Sequence, residues 1–141
     1  VRSLFILLGA LFLLTLAACV GPGEERATSR PCPPCQEEAI VISQPLLNST
    51  VTSPVHIEGV SDPTFEQTIE FQVLGEDGRI LGQGYTTIEA EWGERGPFVV
   101  DIEFTPPATR EQGRIVVFAT SARDGGITHL SSVEVALGAA E

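Results

Sequence analysis

The chain has 141 residues, with 8 basic and 19 acidic side chains and a formal net charge of −11. This fits one domain of ordinary size and excludes a nucleic-acid binder, which would have to neutralise a row of phosphates. All the basic residues are Arg and none is Lys, which removes Schiff-base lysine chemistry and the phosphate-loop lysine. The hydrophobic fraction of 43% is unevenly spread, because seven of the thirteen Leu fall within the first eighteen residues.

The chain begins VRSLFILLGALFLLTLAAC, in which Arg2 precedes an apolar run from Leu4 to Ala18. As a helix this run makes about 22 Å, short of the ~30 Å hydrocarbon core, which favours a secretory signal over a lasting span. Leu16-Ala17-Ala18-Cys19 resembles the bacterial lipoprotein box. That resemblance implies that residues 1–18 are a signal peptide removed before Cys19. It also implies that Cys19 is acylated on its sulfur and on the new N-terminus. Several acyl chains anchor stably where one is marginal, so the expected location is the cell membrane, lipid-anchored and facing the extracytoplasmic side. The competing readings are an ordinary signal peptide with Cys19 incidental, and an uncleaved anchor.

Residues 19–38 form the next segment. After Cys19 it reads VGPGEERATSRPCPPCQEE, rich in Gly, Pro and charge and without apolar periodicity, which predicts a disordered Pro-rich linker. As a flexible coil it spans about 24 Å root-mean-square. A zinc site at Cys32 and Cys35 would need about four ligands, and with Cys19 acylated only His56 and His129 could complete it. Haem attachment needs a His where Gln36 stands. A thioredoxin-like pair needs a βαβ unit that does not follow.

A disulfide, expected in an oxidising compartment, can form within one chain or between two. In polyproline II, Cys32 and Cys35 lie about 9 Å apart, whereas a bridge wants Cα atoms at roughly 4.4–6.8 Å, so an intrachain bond requires Pro33-Pro34 to turn. The three-residue turn of polyproline II also puts both thiols on one face, which suits two parallel chains and a disulfide-linked homodimer. Both pairings stay open. A thiol-dependent role, redox exchange or covalent dimerisation, is the alternative to a binding function.

From Ala39 the pattern changes to period two, with turn signals every eight to twelve residues. Ala39–Ser43 is a short apolar strand. Val55 and Ile57 alternate with His56 and Glu58, and Ile69, Phe71 and Val73 with Thr68, Glu70 and Gln72. Asp77-Gly78 marks a hairpin turn into a strand over residues 79–88. Phe98, Val100, Ile102 and Phe104 share one face, with Asp101 and Glu103 on the other. The denser apolar run of residues 113–120 predicts a central strand. Asp124-Gly125-Gly126 turns the chain into a last strand with Val133, Val135 and Leu137 on one side. About seven strands in residues 39–138, with no sustained helical spacing, predict an all-β fold, a β-sandwich.

Read in order, these stretches resemble the immunoglobulin-like domain of bacterial spore germination proteins. The resemblance rests on Ile40–Pro45, Ser53–Gly59, Phe65-Glu66 and Asp77–Leu81. It continues through Trp92, Pro97-Phe98, Ile102–Phe104, Gly113–Val117 and Asp124-Gly125. It implies an immunoglobulin-like β-sandwich outside the cytoplasm, with a binding or scaffolding role, and it supplies no catalytic residues.

Phe65, Glu66 and Trp92 are the candidate binding surface. Phe65 as core with Glu66 stapling its loop through backbone hydrogen bonds is the plainer alternative for the first two. Trp92 lies between acids in Glu89–Glu94, where it either packs over the end of the core or grips a sugar or basic peptide. No EF-hand spacing is present, so the acids predict a solvated surface rather than calcium. His56 and His129 alternate with apolar neighbours and predict surface or satisfied positions. No nucleophile elbow occurs. The expectation is therefore a noncatalytic protein without cofactor or metal, meeting an envelope protein or cell-wall component.

Overall fold

The computed structural model describes residues 37–139. The signal peptide, Cys19, and Cys32 and Cys35 lie outside the described residues. Eight strands follow one another: β1 (Ile40–Gln44), β2 (Thr50–Val51), β3 (Val55–Ser61), β4 (Thr68–Leu74), β5 (Ile80–Thr87), β6 (Gly96–Ile102), β7 (Glu111–Thr120) and β8 (Ile127–Leu137). They form two sheets, β1-β3-β6 and β2-β8-β7-β4-β5. All pairings are antiparallel except the short β2–β8 contact, which is parallel.

The alternation visible in the sequence sets which face each strand buries. Val55, Ile57 and Gly59 of β3 point inward, as do Ile69, Phe71 and Val73 of β4. Ile115 and Val117 of β7, with Val135 and Leu137 of β8, complete the opposing layer. Phe71 and Phe98 meet across the two sheets with ring centroids 5.7 Å apart and planes at 58°, a tilted arrangement that aromatic quadrupoles favour. Strand β7 does occupy the middle of the larger sheet. Its Val116 and Phe118, on the outward face, are also nearly buried, which accounts for its unbroken apolar run.

Most strand ends fall within two residues of the sequence reading, and two elements differ more. The last strand begins at Ile127 rather than near Val133, because its first half pairs with β7 beyond the edge of the core, where burial no longer enforces alternation. Strand β2 has only two residues, too short to leave a periodic signal. It lets the first part of the chain cross from one sheet to the other. Ala136 N–H donates to Ser49 O and Gly138 N–H to Val51 O.

The turns follow local chemistry. Gly78 sits at φ 80°, a left-handed position suited to glycine. Asp77 Oδ1 accepts from the Arg79 backbone N–H at 3.1 Å and from Arg79 Nη1 at 2.7 Å. Arg79 Nη2 reaches Glu111 at 2.7 Å. This ties the β4–β5 hairpin to the start of β7.

Candidate functional site

The loop between β3 and β4 contains a single 3-10 turn, Phe65–Gln67, in which Glu66 and Gln67 both have left-handed backbone (φ 53° and 54°). Non-glycine residues hold this conformation at a cost, so neighbouring structure must enforce it. The enforcing group is the Gln67 side chain. It is 6% exposed, and its Nε2 donates to Glu91 O at 3.1 Å and Ala90 O at 3.4 Å. Gln67 O in turn accepts from Ile88 N–H at 2.7 Å. The β3–β4 loop is thereby fastened to the loop from Glu89 to Arg95 between β5 and β6.

A second clamp lies beside the first. Arg95 Nη1 donates to Asp62 Oδ1 at 2.6 Å and to Glu38 O at 3.0 Å. Asp62 N–H donates to Ala39 O at 2.7 Å. The described chain therefore enters the domain at the same end as these two loops.

The three residues singled out from the sequence fall within this pair of loops. Phe65 is 59% exposed and Trp92 is 76% exposed. Phe65 is thus not a core residue: turning Glu66 and Gln67 left-handed sends the buried position to Gln67 and leaves the preceding ring outside. Nor does Trp92 pack over the end of the core. The Glu66 carboxylate makes no backbone staple; the residue's contribution is its carbonyl, which accepts from Thr68 Oγ1 at 3.4 Å. Gln67, the residue that organises the loops, was missed in the sequence. A polar side chain next to a β-strand gives no outward sign that it will be buried. The two loops that carry the rings also carry Asp62, Glu66, Glu89, Glu91 and Glu94, and Arg95 is already engaged with Asp62.

On the outer face of the smaller sheet, His56 is held between two carboxylates, with Nδ1 2.7 Å from Asp101 and Nε2 2.8 Å from Glu58. Asp101 lies directly opposite His56 in the β3–β6 register. A neutral imidazole can donate from only one nitrogen, so the double contact requires the charged ring. Its pKa is accordingly raised above the ordinary value, by the Glu58 hydrogen bond first and the Asp101 bond second. Both nitrogens are committed to carboxylates, and none is left to activate a hydroxyl. A raised folded-state pKa stabilises the protein below the unfolded pKa of about 6.5, and this contribution is lost as pH rises through the folded value. His56→Gln is therefore expected to flatten the pH dependence of the urea midpoint just above pH 6.5. An unaltered profile would sink the assignment. Among the described residues no group of three or more His, Cys, Asp or Glu is placed to hold a metal ion.

The two packed sheets define an immunoglobulin-like β-sandwich, with Phe65 and Trp92 exposed on loops. The sequence model of the immunoglobulin-like domain of bacterial spore germination matches residues 39–126. The chain belongs to this family. No curated protein matches the chain. Among solved structures, that of WR4, a C. elegans MSP family member, is similar over 73% of this chain and 100% of its own, at 12% identity and a TM-score of 0.35.

Proposed function

We propose that the protein is a noncatalytic binding module of the cell envelope, tethered through acyl groups on Cys19 and a Pro-rich linker. Its contact surface is the loop end that carries Phe65 and Trp92. The observation that carries this reading is the exposure of two large rings on loops that buried Gln67 and clamped Arg95 hold in place. Rigid loops on a sandwich present aromatic contacts at little ordering cost. The carboxylates on the same loops favour a neutral or basic protein surface over an anionic polymer. Membership in a germination-associated family supports an envelope setting.

A photo-crosslinking residue at Phe65 or Trp92, compared with one at Glu76 on the β4–β5 turn, tests the surface on cells. Capture of one common partner from both loop positions and not from Glu76 is expected. The Phe65→Ala/Trp92→Ala variant should weaken binding of that partner by more than about 10-fold, because exposed aromatics at an interface centre dominate its energy. Its folding stability should change by no more than about 0.5 kcal/mol, as for other surface sites. Equal capture at Glu76, or undiminished binding by the double variant, would remove the loop end from consideration. Incorporation of a fatty-acid label that disappears in Cys19→Ser tests the tether separately.

A further inference from the structure

The strand register sets the side chains on the outer face of the larger sheet in rows. Tyr85, Glu70, Phe118 and Leu130 fall opposite one another across β5, β4, β7 and β8. Gln83, Gln72, Val116 and Ser132 form the next row. In a chain with 19 acidic and 8 basic side chains, these two rows hold a single charge, Glu70. The outer face of the smaller sheet, by contrast, brings His56, Glu58 and Asp101 together.

Across β5, β4 and β7 this face holds an open groove of about 550 Å³, within the ~300–1,000 Å³ usual for small-ligand sites. Phe118 lines it and is nearly buried, whereas Tyr85, which also lines it, is 74% exposed. Gln72 and Gln83 contribute amides to the same lining. Glu70 Oε1 accepts from Thr120 Oγ1 at 2.8 Å. That bond orients the carboxylate and leaves Oε2 to accept from a ligand. Phe65, Gln67 and Trp92 take no part in the lining.

We infer that this groove binds a strand of neutral polysaccharide. The chemistry of the face argues against three other occupants. An extended peptide joins a sheet through free backbone groups, and β4 and β7 are already paired on both sides. A polymer bearing phosphates or carboxylates needs cations, and the two rows offer none. A basic ligand needs more than one carboxylate. What the groove does offer is an exposed ring, two amides and one oriented acceptor. Sugar rings carry C–H faces that stack on an aromatic ring and hydroxyls that both donate and accept. Tyr85 supplies the ring surface, and the amides of Gln72 and Gln83 can donate and accept at the hydroxyls. Glu70 Oε2 takes a further hydroxyl proton. Apolar surface with a few placed polar groups is the general design of a small-ligand site.

Affinity electrophoresis of the full chain in a sugar-free detergent tests this. The probes are soluble mannan, galactan and β-glucan, with polygalacturonate as the anionic control. At least one neutral polysaccharide should retard the protein, and polygalacturonate should not. Tyr85→Ala and Gln72→Ala/Gln83→Ala should each weaken that binding at least about 10-fold, with the circular dichroism spectrum unchanged. Tyr85→Phe keeps the ring and should stay within about 3-fold of the parent. Phe65→Ala/Trp92→Ala should bind the polysaccharide as the parent does. Retardation by no neutral polysaccharide, equal retardation by polygalacturonate, or indifference to both groove variants would overturn the proposal. So would loss of binding in Phe65→Ala/Trp92→Ala, which would move the sugar to the loop end. Capture of a protein through Phe65 and Trp92 is a separate readout, so either reading can fail without the other.

Discussion

Phe98→Ala should lower the unfolding free energy by about 3–5 kcal/mol, the range for removing a fully buried Phe. Phe98 has no exposed surface, and its ring packs against Phe71 where the two sheets face each other. The loss combines transfer free energy, the cavity left behind and the aromatic contact, which adds about 0.5–1.5 kcal/mol beyond burial. Single domains are stable by only about 5–15 kcal/mol, so this one change should remove a large share of the total. Urea titration followed by circular dichroism measures this. The exposed Trp92 is a poor fluorescence reporter, because its surroundings change little on unfolding. Val99→Ala, on the outer face of the same strand, should stay within about 0.5 kcal/mol of the parent. A Phe98→Ala loss as small as that of Val99→Ala would mean that the two sheets are not packed as described.

Gly59→Ala should be the next most damaging change, and for the opposite reason. A Cβ at Gly59 would meet Val41 O and the Phe98 ring, both inside the 3.0 Å that real Cβ atoms essentially never show. One obstacle is backbone in the adjacent strand, and the other is a fully buried phenyl ring, so neither can retreat cheaply. Overpacking of this kind costs about 1–3 kcal/mol and occasionally more, and the backbone contact places Gly59→Ala at the upper end. Because the two sites touch, their effects should couple. Phe98→Leu in the Gly59→Ala background should cost less than it does alone, since it removes the ring that the new methyl strikes. Strictly additive losses in the urea midpoints would contradict this geometry.

Both of these positions show what the sequence did and did not carry. The inward register of Phe98 follows from its alternation with Asp101 and Glu103, and that pattern locates nearly every core strand. The reason for a glycine at position 59 is not local. It comes from a strand eighteen residues earlier and a ring thirty-nine residues later, which only the folded sheet brings together. The proposed contact residues are legible in a different way. Trp92 stood out because an aromatic among acids in a strand connection is unusual, and its exposure fits that signal. Phe65 stands out only as part of the Phe65-Glu66 stretch that carries the family resemblance, and the core position of its plainer reading is taken by Gln67 instead. The left-handed pair Glu66 and Gln67 depends on hydrogen bonds to Ala90 and Glu91, more than twenty residues away.

The joining of Glu38 and Asp62 through Arg95 bears on how the domain carries force. A pull on the chain ahead of Glu37, resisted by a partner at Phe65 and Trp92, would enter and leave at one end of the sandwich. Its path would run through the Arg95 clamp, the first residues of β1 and the Gln67 fastening. The packed interface around Phe71 and Phe98 lies off that path. Tension would therefore be borne by a handful of polar bonds near the loops, with the hydrophobic interior left unloaded. Weakening Arg95 should loosen the grip under load long before it changes the melting temperature.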